Sequence, residues 1–418
     1  MKANINYLFF AAIFAATAIL SGCAYKDSLG DYYPESGATT SDGGYADATS
    51  DDYSGMSDPS YGEQGNGQGE AGRITASEWS DLDNWLFWSN LMTSKQSDQE
   101  GNNFTSFSDY WALYTNNRVA VNATTQNGQP LYDSEITLSS NGNVIWTTRT
   151  DKNGDANLWI GFAQMTDSYD ENALVLTVRD EKADQAVDVT HWGEDVKVNH
   201  LVYNNDAVNL GGNLNVAFIV DATGSMSDEI DFLKADLESI ISEVSASASG
   251  TNLSTAAVFY RDEGDEYLTR VSNFDNPSST ISFIRKQKAG GGGDYPEAVH
   301  TALETGLQKL SWTENNSMRL AFLLLDAPPH KRDDVIASLQ KTIPQYAAKG
   351  IRIIPIAASG VDKPTEFFLR FTAIATNGTY VFITNDSGIG NDHIQATVGE
   401  TKVELLRDII VRLIAQNM

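Results

Sequence analysis

The chain of 418 residues contains few cysteines, histidines and basic side chains. Its single cysteine, Cys23, excludes a disulfide within the chain, and its five histidines do not have the spacing of zinc ligands. Lysine and arginine together number 28 against 56 aspartates and glutamates, which gives a formal net charge of −28. Because nucleic-acid binding needs clustered basic side chains, nucleic acid is excluded as a partner.

An apolar run stands near the start of the chain. Residues 7–20 are almost wholly apolar, but a run of this length is too short to span a bilayer comfortably. Lys2 precedes the run and small residues follow it, which is typical of a secretory signal peptide. We therefore expect a signal peptide over residues 1–22 and an exported protein.

The tetrapeptide LSGC at residues 20–23 resembles the lipobox of bacterial lipoproteins. This resemblance implies that Cys23 carries a lipid, becomes the mature N-terminus and anchors the protein to a membrane through its acyl chains. Ala24 rather than aspartate follows the cysteine, and by the same resemblance this favours the outer membrane over the inner one. The alternative is an ordinary signal peptide followed by a free thiol.

The next two segments differ in composition. Residues 23–72 are rich in Gly, Ser, Asp and Tyr and almost free of aliphatic side chains, which predicts a disordered acidic tether. Residues 73–115 form a Trp-rich, helical lead-in. Thr75 and Glu78 match a capping box and predict a helix over residues 75–92 whose aromatic face packs on the next domain. The alternative is an aromatic platform that binds a sugar.

Residues 116–205 consist of short segments rich in β-branched and aromatic side chains, several of them alternating and separated by Asn-Gly pairs. This pattern predicts a small all-β sandwich. The phrase NGQPLYDSEITL…TRTDKNGDANLWI resembles the carboxypeptidase-regulatory type of immunoglobulin-like (Ig-like) domain found on bacterial surfaces.

Residues 213–418 have a different pattern, in which strands alternate with helices. Apart from Asn215, the segment LNVAFIV is apolar, as expected for a strand buried on both faces, and an amphipathic helix follows it. The alternation repeats towards the C-terminus. It predicts an α/β fold with a doubly wound, mostly parallel sheet.

Acidic residues stand at the ends of two predicted strands of this sheet. Asp221 follows LNVAFIV and Asp326 follows RLAFLLL. Ligands bind at the carboxyl ends of parallel strands, where two carboxylates repel each other unless a cation lies between them. Thr223 and Ser225 alternate with Asp221, so their hydroxyls can face the same side. Oxygen ligands of this kind suit Mg²⁺, with Ca²⁺ and Mn²⁺ as alternatives.

The loops DATGSM, GGGGDYPEAV and LLLDAPPH occur in this order and resemble the metal-ion-dependent adhesion site of the von Willebrand factor A family. The resemblance implies metal ligands at Asp221, Thr223, Ser225, Asp294 and Asp326. Asp294 stands where a coordinating threonine is usual, and the sequence around it resembles bacterial members and the A-like domains of alpha-kinases. A third carboxylate should tighten cation binding and weaken the attraction of the metal for a carboxylate of a partner.

These resemblances imply a lipid-anchored surface or periplasmic protein that is not an enzyme. It would bind an unknown protein partner through the cation, with an acidic residue of the partner completing the coordination. Two alternatives stay open. The cation could serve only to tie the three loops together, or the site could belong to a metal-assisted hydrolase in which His330 is a general base near Asp326.

Overall fold

The computed structural model describes residues 71–93, 104–163, 169–204, 212–247, 250–390 and 392–417. The predicted signal peptide, Cys23 and the predicted tether as far as residue 70 lie outside the described residues.

The strands are numbered in chain order. They are β1 (Thr75–Trp79), β2 (Asn117–Thr125), β3 (Glu135–Ser140), β4 (Asn143–Arg149), β5 (Asp155–Ile160), β6 (Leu174–Val178), β7 (Glu181–Lys182), β8 (Thr190–His191), β9 (Val198–Tyr203), β10 (Asn213–Asp221), β11 (Asn252–Tyr260), β12 (Thr269–Asp275), β13 (Ser317–Leu325), β14 (Ile351–Ala357), β15 (Tyr380–Ile383) and β16 (Glu404–Leu405).

The α-helices are numbered in the same way, and short 3₁₀ helices lie at Glu171–Ala173, Gly224–Asp228 and Asn385–Ser387. The α-helices are α1 (Trp85–Thr93), α2 (Phe104–Trp111), α3 (Ile230–Ser247), α4 (Pro277–Ile284), α5 (Val299–Gln308), α6 (Asp333–Ala348), α7 (Lys363–Ala375) and α8 (Leu406–Ala415). Within the described ranges, none of these helices combines the length and the apolar character needed to cross a membrane.

The largest sheet has eight strands in the order β12-β11-β10-β13-β14-β15-β1-β16. The neighbours from β11 to β15 run parallel to one another. At the margins, β12, β1 and β16 pair antiparallel with their neighbours. The predicted α/β sheet is therefore mixed, with a parallel centre and antiparallel edges.

Alternate side chains of β10 face two separate hydrophobic cores, because successive side chains of a strand point to opposite faces. Ile219 packs with Leu303 in the core under α5, α6 and α7. Phe218 packs with Leu237 and Ile409 in the core under α3, α4 and α8. Helices thus cover both faces of the sheet, which explains why the run VAFIV at residues 216–220 is continuously apolar.

The lead-in begins with a strand, and the predicted helix over residues 75–92 is wrong in its first part. Residues Thr75–Trp79 form a strand that pairs antiparallel with β15 and covers what would otherwise be an open edge of the sheet. The helix α1 begins only at Trp85. The backbone hydrogen bonds available at that edge outweigh the local capping signal. Trp85 and Trp88 are buried, so the aromatic face packs and does not form an exposed platform.

The segment between the lead-in and the large sheet forms two smaller sheets. One has the order β5-β2-β8, with β9 also paired to β2, and the other has the order β4-β3-β6-β7. Their inward side chains, among them Val119 and Leu158 of the first sheet and Leu138 and Leu176 of the second, share one core. The segment is thus built of β-strands in two sheets, as the alternating pattern predicts.

A buried ion pair fastens the lead-in to the large sheet. Arg370 of α7 donates from Nε to Asp81 Oδ2 over 2.9 Å and from Nη2 to Asp81 Oδ1 over 2.6 Å. Both side chains are buried, and Glu366 lies against the same guanidinium at 3.3 Å. The lead-in is therefore a structural part of the α/β unit.

Candidate metal centre

Two neighbouring parallel strands carry the first two carboxylates to one edge of the large sheet. Asp221 is the last residue of β10, and Asp326 directly follows β13. The register pairs Val220 with Leu324, so the two chains leave the sheet side by side. Both aspartates are buried. The structure thus brings Asp221 and Asp326 to the edge at which the sequence predicts a cation.

The first loop turns its hydroxyls towards Asp221. Oδ1 of Asp221 accepts hydrogen bonds from the Thr223 backbone N–H at 2.9 Å and from the Thr223 hydroxyl at 2.7 Å. Thr223 Oγ1 lies 3.0 Å from Ser225 Oγ. Ser225 itself is exposed, so this chain of oxygens runs from a buried carboxylate to the surface.

Among the described residues, one carboxylate oxygen of each aspartate lacks a well-aligned hydrogen bond. Asp221 Oδ2 and Asp326 Oδ1 are buried and, in the described part of the chain, accept no such bond. Burial raises the pKa of Asp221 to about 6, although the hydrogen bonds from Thr223 and the neighbouring Tyr260 hydroxyl oppose this rise. Burial and then the charge of Asp221 raise the pKa of Asp326 to about 7. A buried carboxylate without a partner is costly unless a cation or a proton compensates for it.

The second loop brings a carboxylate to this cluster, but from a position that the sequence analysis missed. Asp294 is exposed. Three residues later, Glu297 is only 3% exposed, and its Oε2 is buried without a hydrogen-bond partner among the described residues. Burial, followed by the charges of Asp221 and Asp262, raises the pKa of Glu297 to about 9. The available signal was the glutamate in GGGGDYPEAV.

Further polar groups surround the cluster. His330 Nε2 lies 2.7 Å from Asp262 Oδ1, and both side chains are largely buried. Asp265, in the same loop as Asp262, accepts a hydrogen bond from the Gly292 N–H at 2.8 Å. His330 therefore lies beside the acidic edge, hydrogen-bonded to an aspartate outside the predicted ligand set.

Another buried carboxylate, that of Glu229, links the first loop to the segment before α8. Glu229 Oε1 accepts a hydrogen bond from the Ser359 N–H at 3.2 Å and lies 3.3 Å from His393 Nε2. The charge of Glu229 contributes to the raised pKa of Asp326. The chain around His393 is thereby held close to the acidic edge.

The donor set suits a hard divalent cation. Among the residues that the structure describes, no three His, Cys, Asp or Glu side chains are already arranged around one metal position. However, the unpartnered oxygens of Asp221 and Asp326 and the hydroxyls of Thr223 and Ser225 are the oxygen donors that Mg²⁺, Mn²⁺ and Ca²⁺ prefer. A cation held there would act as a Lewis acid towards an oxygen atom of a bound molecule.

A cavity of about 560 Å³ lies elsewhere, between the large sheet and the small sheets. Polar side chains of both parts line it, including Arg118, Asp151 and Arg352. Its walls contain neither Asp221 nor Asp326. The acidic edge is therefore not part of this cavity.

The fold and the acidic edge together define an α/β domain with a carboxylate at the ends of two central strands. Residues 215–363 match the family described as the von Willebrand factor A domain, and they form such a domain in this chain. The match extends from β10 to the start of α7 and contains every carboxylate described above. His393 lies beyond it.

Two curated proteins are similar to part of the chain. A protein of Acanthamoeba polyphaga mimivirus, named as an ariadne-like RING finger protein, is 33% identical over 41% of this chain and 19% of its own length. An alpha-protein kinase of Dictyostelium discoideum is 29% identical over 40% of this chain and 27% of its own length. The chain thus spans about a quarter or less of these relatives, and the RING finger and kinase names belong to them alone.

Proposed function

We propose that the protein binds a protein partner through a divalent cation at the carboxyl edge of its von Willebrand factor A domain. The observation that carries this proposal is the pair of buried oxygens, Asp221 Oδ2 and Asp326 Oδ1, that lack a well-aligned hydrogen bond among the described residues. A divalent cation between the two strand ends would compensate both carboxylates at a pH where they are ionised. The domain match supports a role in metal-dependent binding or protein interaction.

Mg²⁺ is the proposed cation, with Ca²⁺ or Mn²⁺ as alternatives. The hydroxyls of Thr223 and Ser225 support this choice because they are neutral oxygen donors directly beside Asp221. The exposed position of Ser225 leaves the outer side of the edge accessible to a partner. An acidic residue of the partner is the group that the resemblance implies for this contact.

We also propose that the protein is exported and anchored to a membrane by a lipid on Cys23. The support is the apolar run over residues 7–20 and the LSGC tetrapeptide. A lipid anchor and an acidic tether would place the binding domain at a distance from the bilayer. The outer membrane is the proposed location in a cell that has one.

A metal-assisted hydrolase is the second candidate, because His330 and Asp262 form a short hydrogen-bonded pair beside the edge. A histidine oriented by an aspartate is a common arrangement of a general base. Partner binding is placed first because Ser225 is exposed at the edge, where a large partner has access. A cation with only a structural role is the third candidate.

A pull-down from the native envelope tests the proposed binding. Wild type and Asp221→Ala are compared as bait, each in Mg²⁺ and each in EDTA. The proposal predicts a captured protein with wild type in Mg²⁺ that is lost both in EDTA and with Asp221→Ala. Capture that is the same under all four conditions would contradict a metal-dependent contact.

A further inference from the structure

We propose that the cavity between the large sheet and the small sheets binds a short peptide, with the C-terminal carboxylate of the peptide at Arg118 and its N-terminal ammonium group at Asp155. The cavity has a volume of about 560 Å³, and ligand sites usually measure about 300–1,000 Å³. Leu320 and Arg352 on its wall lie in the first halves of β13 and β14, whereas Asp221 ends β10. The cavity therefore lies towards the opposite end of the parallel strands from the acidic edge, and the proposal does not depend on a cation.

Arg118 of β2 is a buried cation whose hydrogen bonds go to neutral acceptors. It is only 6% exposed, and its guanidinium lies 4.9 Å from the centre of the Trp85 ring. Nε donates to Asn157 Oδ1 over 2.7 Å, and Nη1 donates to Leu82 O over 3.0 Å. Burial lowers the pKa of Arg118 to about 10, although the charge of Asp83 opposes this fall. The guanidinium on the cavity wall thus has acceptors but no anion in contact with it among the described residues.

The other buried arginines differ from Arg118 in this respect. Within the described ranges, Arg261, Arg319 and Arg370 are also buried, and each lies within 3.7 Å of a carboxylate oxygen. A buried charge is costly without a partner of opposite charge. An anion bound in the cavity would give Arg118 the kind of partner that the other three arginines have.

Acidic side chains stand at another part of the cavity wall. Asp155 pairs with Asn122 of β2, four positions after Arg118, which corresponds to about 13 Å along a strand. Asp155 Oδ1 accepts a hydrogen bond from Asn122 Nδ2 over 2.7 Å, and no lysine or arginine of the described ranges forms an ion pair with Asp155. Burial raises the pKa of Asp155, and the charge of Asp151 adds to the rise. A cationic group of a ligand would be favoured at this position.

The rest of the wall suits the body of a peptide. It includes the apolar side chains of Val121, Val198 and Leu413, together with side-chain amides. An extended chain covers about 3.3–3.6 Å per residue, so the two ends of a tripeptide lie about 10 Å apart. Because Arg118 and Asp155 are about 13 Å apart along the sheet, a tripeptide matches their separation better than a single amino acid does. Fixed polar groups that capture the terminal charges of a peptide are a recurrent mode of recognition.

The tripeptide Ala-Leu-Ala is the probe that tests the proposal. The full-length protein is kept in EDTA, so that no cation at the acidic edge can bind the carboxylate of the peptide. Saturation-transfer difference NMR measures the dissociation constants of the free, the N-acetylated and the C-amidated tripeptide. We expect each blocked peptide to bind at least about tenfold more weakly than the free one, because each lacks one terminal charge. Equal binding of all three peptides, or no binding of the free peptide, would overturn the proposal.

Arg118→Met and Arg179→Met form a matched pair of variants. The Arg179 guanidinium also lies 4.9 Å from the centre of an aromatic ring, that of Tyr203, but Arg179 does not line the cavity. Arg118→Met should bind the free and the C-amidated peptide equally weakly, whereas Arg179→Met should bind both as the wild type does. If Arg118→Met kept the preference for the free carboxylate, the assignment of Arg118 would be wrong.

Asp155→Asn tests the other end of the peptide and serves also if Arg118→Met does not fold. Asp155 is exposed, so an isosteric amide at this position should leave the fold intact. This variant should lose the preference for the free over the N-acetylated peptide and keep the preference for the free over the C-amidated peptide. An unchanged preference for the free amino terminus would contradict the proposed placement of the peptide.

Discussion

Arg319 of the central strand β13 and Asp133 of the small sheets form a buried, two-pronged ion pair. Arg319 Nη1 donates to Asp133 Oδ1 over 2.9 Å, and Nη2 donates to Oδ2 over 3.1 Å. Arg149 lies 2.6 Å from the same carboxylate. The pair joins residues 186 positions apart and ties the small sheets to the large one.

The first prediction concerns this pair. Asp133→Ala leaves the Arg319 guanidinium buried without its counter-charge, so the free energy of unfolding should fall by about 3–5 kcal/mol. Lys402→Ala is the control, because Lys402 pairs with Glu404 at 3.1 Å but is 80% exposed, and such pairs contribute about 0–1 kcal/mol. Urea unfolding measures both. Equal losses for the two variants would argue against a firm junction between the sheets.

The second prediction tests the docking of the lead-in. Trp88 is fully buried, stacks on Phe367 with 5.7 Å between ring centroids, and donates from Nε1 to Thr115 over 2.9 Å. Trp88→Ala should therefore lower the free energy of unfolding by about 3–5 kcal/mol. Leu86 lies on the same helix but is 43% exposed, so Leu86→Ala should cost only about 0.5 kcal/mol or less. If urea unfolding gave similar values for both, the lead-in would not be docked as described.

The third prediction concerns pH. Asp221, Asp326 and Glu297 have raised pKa values in the folded protein, about 6, about 7 and about 9. Between their ordinary pKa values near 4 and these raised values, the folded state therefore binds more protons than the unfolded state. The stability that these groups contribute is present at low pH and is lost as the pH rises through the raised values.

In EDTA, the free energy of unfolding of the wild type should thus fall as the pH rises from about 5 to about 9. The stabilisation gained from added Mg²⁺ should grow over the same range, because the deprotonated carboxylates bind the cation. Urea unfolding at several pH values measures both trends. Glu297→Gln should flatten the upper part of the EDTA curve, and a variant curve parallel to that of the wild type would contradict the raised pKa of Glu297.

The fourth prediction concerns the proposed anchor. Mass spectrometry of the wild-type protein from its native envelope should find an N-terminal peptide that begins at an acylated Cys23. Cys23→Ala should yield an uncleaved or soluble protein, since it removes the site of acylation. A mature chain that starts elsewhere and carries a free thiol at Cys23 would refute the lipoprotein hypothesis.

The sequence alone predicts the parts of the site that depend on local pattern. Asp221 and Asp326 each follow an apolar run, and parallel strands end at a common edge, so both carboxylates could be placed together. Glu297 could not be distinguished from Asp294 in this way. The difference depends on the bridge from Glu297 to Pro329, a contact between two loops that no periodic pattern encodes.

Two features of the fold could not be predicted from the sequence, because each depends on residues that are far apart in the chain. Thr75 and Glu78 carry a valid local helix signal, yet the strand that contains them pairs with β15, about 300 residues away in the chain. Arg319 lies within the buried, mostly apolar strand β13, and its partner Asp133 stands 186 positions earlier in the chain. Tertiary contacts override local propensity at both positions.

The central claim is that a divalent cation binds at Asp221 and Asp326. Thermal unfolding of wild type and Asp221→Ala, first in EDTA and then with Mg²⁺ titrated in, tests it most directly. A ligand at 100 times its dissociation constant stabilises the folded state by about 2.7 kcal/mol, so the melting temperature of the wild type should rise with Mg²⁺, whereas that of Asp221→Ala should not. A wild type whose melting temperature is the same in EDTA and in Mg²⁺, Mn²⁺ or Ca²⁺ would contradict the account.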